Sequence, residues 1–189
     1  MSGKSIEQNI KEVINASSRA ISKDKNLTVE IDIDQDLSSA GHNSKKNSLS
    51  LKISRGDADK QALLKKYSLL ENPIKKTGIS ELDNLLLEFE SVRTEILGSR
   101  DFLGVKENLR NLFLQNLSRQ TLENEQDALK IAMEISLKNN LLNQENNKLE
   151  EVFLKPWKEQ MSSAEEDFVV INEVLDDKEK FNEQLIKLF

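Results

Sequence analysis

Arg93 is the residue whose type and position most strongly suggest a role beyond surface charge. On a helical projection it falls on the same stripe as Phe89 and Ile96, where an apolar side chain is expected. Glu90 lies one turn earlier and can pair with the guanidinium, because leaving a buried charge unpaired is costly. The sequence therefore allows two hypotheses. Arg93 forms an ion pair inside the fold, or it faces, with Glu90 and Arg100, a groove where a partner subunit supplies the carboxylate.

Two glycines flank the predicted end of the helix that carries this arginine. The helix is expected to begin at Ser80 and to stop at Gly98, which can adopt the left-handed conformation that ends many helices. Gly104 then lies in a corner before the next apolar stripe. Both glycines can act as structural caps, or they can mark points where another chain approaches the backbone closely.

Other residues that could support catalysis or metal binding stand in unsuitable surroundings. The single histidine, His42, lies in a polar loop, and the absence of cysteine excludes disulfides and thiolate ligands. Residues 2–5 have only the end of a phosphate-binding loop, because that motif also needs an earlier glycine and a preceding strand. The carboxylates of Asp176, Asp177 and Glu179 are typical of a solvated face. We predict no catalytic, cofactor-binding or metal-binding residue in this chain.

Composition narrows the class of protein. The chain has 189 residues, of which 37% are hydrophobic, 32% charged and 5% aromatic, and this balance favours a helix-rich protein with solvated outer faces. The net charge of −6 argues against a general nucleic-acid binder, because neutralising phosphates requires clustered Lys and Arg. No apolar run approaches the ~20 residues that cross a bilayer, and the N-terminus lacks the apolar segment of a signal peptide. We therefore expect a cytoplasmic protein.

Two kinds of hydrophobic periodicity occur near the N-terminus. Residues 5–22 carry apolar side chains at helical spacing. Residues 27–33 and 49–53 alternate apolar and polar positions, which is typical of half-buried strands, and we pair them as an antiparallel ribbon. The polar excursion between them, over residues 35–48, has little to bury and is predicted to be mobile.

Helical spacing dominates the remainder of the chain. We predict a helix that opens at Arg55–Asp59, the helix of Arg93, and further amphipathic helices from Val105 onward, with a kink near Pro156. The predicted fold class is α+β, predominantly α: a helical bundle with a small two-stranded antiparallel β-ribbon near the N-terminus.

The segment FESVRTEILGSRDFLGVKENL, at residues 89–109, resembles the N-terminal region of the CobT subunit of aerobic cobaltochelatase. The residues that carry this resemblance are Phe89, Arg93, Glu95, Gly98, Gly104, Val105, Asn108 and Leu109. Upstream, the segment SRGDADKQALL is similar to the same family through Arg55, Gly56, Ala58, Asp59, Ala62 and Leu63. Residues 15–31 also resemble the family, and the likeness is weaker downstream, at Trp157 and residues 176–189.

The resemblance implies a function in aerobic cobalamin biosynthesis. Subunits of this family act with an AAA+ ATPase subunit and a large corrin-binding subunit to insert cobalt(II) into hydrogenobyrinic acid a,c-diamide with ATP hydrolysis. By resemblance, ATP and cobalt(II) are handled by the whole complex, and this chain is a non-catalytic domain that mediates assembly, with a homo-oligomer as a further option. No nucleic-acid or membrane partner is expected. The candidate structural or partner-interface residues are Glu90, Arg93, Gly98, Arg100, Gly104, Asn108, Arg55 and Asp59.

The family protein is longer, with an acidic linker and a C-terminal von Willebrand A domain that carries a metal-ion-dependent adhesion motif. This sequence contains neither, so we expect a fragment or a truncated relative and carry over no metal site. One domain is expected over residues 1–189, with the helix, ribbon and helix in residues 1–72 and the bundle in residues 73–189. The alternative hypothesis is a stand-alone helical protein-interaction adaptor unrelated to corrin chemistry. An enzyme acting on small molecules or nucleotides is a third, less favoured hypothesis.

Overall fold

The computed structural model describes residues 5–31, 44–68, 78–122 and 124–188, and all regular secondary structure in these ranges is helical. A short 3₁₀ turn at Lys155–Trp157 separates the sixth and seventh α-helices, at the place where the sequence predicts a kink. The helices are α1 (Ile6–Ser22), α2 (Ser44–Tyr67), α3 (Ser80–Asp101), α4 (Leu103–Arg119), α5 (Glu125–Leu142), α6 (Lys148–Leu154), α7 (Lys158–Ser163), α8 (Glu165–Glu173) and α9 (Lys178–Leu188).

The predicted β-ribbon is wrong, because neither of its segments forms a strand in the described residues. Residues 27–31 follow α1 without a neighbouring strand. The alternation of apolar and polar residues still matches their exposure, since Val29 is buried while Thr28 and Glu30 are exposed. The Val29 N–H donates to the Asn15 side-chain oxygen at 2.9 Å. A side chain of α1 therefore supplies the acceptor that a second strand would have offered.

The second predicted strand lies inside α2. The alternation of apolar residues over this short segment is compatible with a strand or a helix. The helical spacing of apolar residues over the longer segment decides for the helix. Ala58 packs with side chains of α1, and Ala62, one turn later, packs with side chains of α4. α2 consequently begins well before Arg55, where the sequence predicts its start. In the described residues the fold class is therefore all-α, which corrects the predicted α+β.

Several sequence predictions concern residues outside the described ranges. They include Ile33, His42 and the phosphate-loop-like residues 2–4. Of the polar excursion predicted over residues 35–48, the last five residues form the first part of α2. The prediction of a mobile loop is therefore wrong for that end of the excursion.

The core is organised around α3, which contacts α2, α4, α5 and α9. One apolar cluster joins α3 to α5, α8 and α9 and contains the buried residues Phe89, Ile96, Phe168 and Phe181. Two smaller clusters join α2 to α4 and α2 to α1. Removing this apolar surface from water is the main favourable contribution to folding. Because α3 is surrounded by other helices, a charged side chain on its buried stripe must find its partners inside the protein.

Gly98 lies inside α3, which continues to Asp101, so the predicted cap at Gly98 is wrong. A Cβ atom at Gly98 would lie 2.2 Å from Leu63 Cδ2, and a Cβ atom at Gly56 would lie 2.5 Å from the Asn108 carbonyl oxygen. Both distances are too short for non-bonded atoms. The close approach of α2 to α3 and α4, and not a left-handed turn, accounts for the two glycines.

Gly56→Ala is expected to lower the free energy of unfolding by about 1–3 kcal/mol, because the added methyl group meets the backbone of α4. Urea denaturation followed by circular dichroism measures the change. Gly104→Ala is the matched control: among the described residues the space around its added Cβ atom is open to 4 Å, and alanine suits a helix better than glycine does. Equal stabilities of the two variants would contradict the close packing of α2 on α4.

Candidate functional site

Arg93 is 2% exposed, and its guanidinium makes its hydrogen bonds inside the fold. Nε donates to Glu90 Oε2 at 2.8 Å, and Nη2 donates to Glu90 Oε1 at 3.0 Å. This bidentate arrangement adds geometric specificity to the attraction between the two charges. The pair lies where the helical spacing places it, one turn apart on α3.

The other hydrogen bonds of Arg93 reach the ends of two neighbouring helices. Nη2 also donates to the Tyr67 carbonyl oxygen at 2.9 Å, and Nη1 donates to the Leu175 carbonyl oxygen at 2.9 Å. Tyr67 ends α2, and Leu175 lies just beyond α8. The Tyr67 carbonyl, at the C-terminus of α2, lacks an intrahelical donor and carries partial negative charge. The same cation also satisfies the Leu175 carbonyl, in the segment after α8. On α9, Lys178 Nζ lies 3.7 Å from Glu90 Oε1. Arg93 and Glu90 thus connect α3 to α2, to α9 and to the segment that follows α8.

Two further cations reach the C-terminal end of α5. Arg100 Nη2 donates to the Leu141 carbonyl oxygen at 3.0 Å, and Lys106 Nζ donates to that of Leu142 at 2.8 Å. Arg100 also donates to Asn172 Oδ1 at 2.5 Å. α5 has no basic residue in its own last turn. Helices α3 and α4 therefore supply the positive charge that the negative end of α5 lacks.

A second buried ion cluster is centred on Glu95, also on α3. Glu95 Oε1 lies 3.0 Å from Lys60 Nζ, and Glu95 Oε2 accepts a hydrogen bond from Lys138 Nζ at 2.7 Å. Lys138 also donates to Glu134 at 2.6 Å, and its ammonium lies 4.3 Å from the centre of the Phe113 ring. The cluster joins α2, α3 and α5, and the aromatic face adds a cation–π contact from α4.

The charges of this cluster outweigh the effect of burial on their pKa values. Burial by itself would raise the pKa of Glu95, but Lys138 and Lys60 hold that pKa below its usual value. Burial by itself would lower the pKa of Lys138, but Glu134 and Glu95 raise it. Both groups are therefore charged at neutral pH. A group that exchanges protons in catalysis would instead need a pKa near the working pH.

Arg55, Asp59 and Asn108 form a third network, between α2 and α4. Arg55 Nε donates to Asp59 Oδ1 at 3.0 Å, and Asn108 Nδ2 donates to Asp59 Oδ2 at 2.8 Å. The Asp59 side chain is fully buried. Burial raises the pKa of Asp59, although Asn108 and Arg55 act in the opposite direction. One buried carboxylate thus orients two side chains that reach the surface.

Gly104 differs from the other candidates because the space around it is open among the described residues. It lies in the first turn of α4, beside Leu103, which is 96% exposed. A packing role within the chain therefore has no support at this glycine. Its assignment to a partner interface stays a prediction.

A polar cleft of about 410 Å³ opens beside the Glu95 cluster, between α3 and α5. Lys130 Nζ and Glu88 Oε2 lie 3.6 Å apart across it.

In the described ranges, no group of three His, Cys, Asp or Glu side chains is arranged to hold a metal ion. Likewise, none of the helices described here is long and apolar enough to span a membrane.

Comparison with protein-family models matches residues 80–189 to the family described as cobalamin biosynthesis protein CobT. The matched range is more than half of the chain. The chain belongs to the CobT family. The predicted resemblance to the CobT subunit is thereby confirmed, together with a role in cobalamin biosynthesis. No curated protein and no solved structure matches the chain.

The CobT match begins at Ser80, the first residue of α3, and runs through the C-terminus. It contains the downstream half of the chain, where the sequence shows the weaker likeness. Arg55 and Asp59 lie before it, so their likeness to the family rests on the sequence pattern alone. The candidate residues inside the match are Glu90, Arg93, Gly98, Arg100, Gly104 and Asn108.

Sequence reasoning about this CobT-family chain did not find the ion pair of Glu95 and Lys138. A signal for Lys138 exists, because it shares the apolar stripe of α5 with Ile131 and Ile135 at helical spacing. The logic that singles out Arg93 on α3 would have selected Lys138 on α5. Its partner could not have been named, because the choice depends on how the two helices pack.

Proposed function

We propose that this chain is a non-catalytic domain of a cobaltochelatase subunit. In this proposal it assists ATP-dependent insertion of cobalt(II) into hydrogenobyrinic acid a,c-diamide, in aerobic cobalamin biosynthesis, by mediating subunit assembly. The observation that carries the proposal is the CobT match over residues 80–189. Cobalt(II) and the corrin are substrates of the whole complex, and the proposal assigns their handling to the other subunits.

The pairing of the buried charges within the fold supports an assembly role. Arg93 and Glu90 are paired with each other and with helix ends, and Glu95 and Lys138 are held in their charged forms. Such fixed pairs stiffen a helical scaffold, whereas acid–base catalysis needs groups that gain and lose protons near neutral pH. A stiff scaffold suits a domain that holds other proteins in a defined geometry.

The proposed partners are an AAA+ ATPase subunit and a large corrin-binding subunit. In this arrangement ATP hydrolysis and cobalt insertion occur on different subunits. A domain that binds both subunits raises the concentration of one subunit near the other. The contribution of this chain to the reaction is therefore positional. It increases the fraction of time in which the ATPase subunit can act on the corrin-loaded subunit.

Binding of the purified chain to each of the other two subunits tests this proposal. We expect saturable binding to at least one subunit, measured by biolayer interferometry, and co-elution in size-exclusion chromatography. An unrelated helical domain of similar size and charge serves as the control. The absence of binding to both subunits, under conditions in which they bind each other, would contradict the assembly role.

A further inference from the structure

A groove of about 500 Å³ lies between α1 and α2, and apolar atoms form most of its surface. Val13, on the outer wall of the groove, is 62% exposed. An aliphatic side chain in this position gains nothing from contact with water. The apolar lining residues are Ile10, Val13, Ile14 and Leu51, and the polar ones are Asn9, Lys52, Arg55 and Asn108. The groove therefore combines an aliphatic surface with a polar end.

The polar end of the groove carries two cations, and each of them has a carboxylate partner within this chain. Lys52 and Arg55 are its charged lining residues, and none of the described residues that line it is acidic. The fully buried Asp59 carboxylate accepts hydrogen bonds from Arg55 Nε and Asn108 Nδ2. These bonds fix the orientation of both side chains. Lys52 pairs with Glu107, which is exposed and outside the lining. An exposed pair of this kind contributes about 0–1 kcal/mol, so a partner carboxylate can replace it.

We propose that this groove docks an acidic amphipathic helix of another chelatase subunit, an inference that rests on the proposed function. A groove between two helices accepts a row of side chains from a third helix. The apolar side of the docked helix would contact Ile10, Val13 and Leu51, and its Asp or Glu residues would lie near Lys52 and Arg55.

Charge complementarity is the reason for choosing an acidic helix. The chain carries a net charge of −6, so at long range it repels an acidic partner on average. The partner is attracted where cations flank an exposed apolar surface, and the groove between α1 and α2 has this combination. The overall repulsion and the local attraction together direct the partner to one place.

Val13→Glu tests the docking site, because it places a negative charge on the outer wall without disturbing a buried residue. Val169→Glu is the matched control: Val169 is 61% exposed, on α8. The affinities of wild type and both variants are measured for each purified subunit by biolayer interferometry. We expect Val13→Glu to weaken binding of one subunit by at least about tenfold, the effect of losing a contact worth about 1.4 kcal/mol. Val169→Glu is expected to change it by less than about twofold.

A second pair of variants tests the contribution of the positive charge of Lys52 to binding. Lys52→Glu should also weaken binding, and more strongly at low salt than at high salt. Lys180→Glu is its control, because Lys180 is likewise an exposed lysine in a surface ion pair, with Asp177. Circular dichroism checks that all four variants are folded.

The outcomes separate the two proposals. If wild type binds neither subunit, the assembly role fails and the docking site fails with it. If wild type binds a subunit and Val13→Glu and Lys52→Glu bind it equally well, the groove assignment alone is overturned. The same holds if the two control variants weaken binding as much as the groove variants do.

Discussion

Replacing Arg93 with methionine is expected to lower the free energy of unfolding by about 3–5 kcal/mol. Methionine can fill much of the same space, but Glu90 would stay buried without its bidentate partner. The carbonyl oxygens of Tyr67 and Leu175 would also lose their donor. Urea denaturation measures the loss, as a shift of the midpoint with an unchanged slope.

Arg119→Met is the matched control for this prediction, because Arg119 is exposed at the end of α4. Its substitution should change stability by no more than about 0.5 kcal/mol. A double variant, Arg93→Met with Glu90→Gln, should be more stable than the sum of the single losses predicts, because the unpaired buried charge is then removed. A loss below about 1 kcal/mol for Arg93→Met would show that the buried pair contributes little.

Lys138→Met has the second large expected effect, a loss of about 3 kcal/mol in the free energy of unfolding. Lys138 is buried and donates hydrogen bonds to both Glu95 and Glu134. Without it, Glu95 keeps its contact with Lys60, which places the loss at the lower end of the range for a broken buried pair. Lys158→Met, at an exposed position on α7, is the control.

The pH dependence of this loss provides an independent check. Because the folded state lowers the pKa of Glu95 below the ordinary 4.5, its ionisation stabilises the wild type above that pH, and this contribution is lost as the pH falls through the lowered pKa. In Lys138→Met, burial dominates and the pKa of Glu95 rises. The stability difference between wild type and variant should therefore be largest at neutral pH and shrink below about pH 4.5. A difference independent of pH would contradict the assignment.

The sequence predicts what depends on a single helix. Arg93 and Glu90 are one turn apart on α3, so their contact follows from helical geometry alone. The carbonyl acceptors of Arg93 are Tyr67 and Leu175, which are 26 and 82 residues away in sequence. No local pattern indicates them, because only the tertiary fold brings the end of α2 and the segment after α8 to Arg93.

The errors of sequence reasoning have the same origin. A short alternation at residues 49–53 predicts a strand, yet Ala58 and Ala62, later in the same helix, lie on a buried helical stripe, and packing against α1 and α4 decides the outcome. Gly98 is predicted to end a helix because glycine often does so. The structure places it opposite Leu63, a contact between helices that the glycine itself does not encode.

Arg93 and Glu90 are buried charges of α3 that pair inside the fold, and one measurement tests this assignment most directly. It is the affinity of Arg93→Met, kept below its unfolding transition, for the chelatase subunit that wild type binds. We predict an affinity within about twofold of wild type, together with the reduced stability described above. An affinity reduced by at least about tenfold, in a variant as stable as wild type, would contradict the assignment and identify Arg93 as an interface residue.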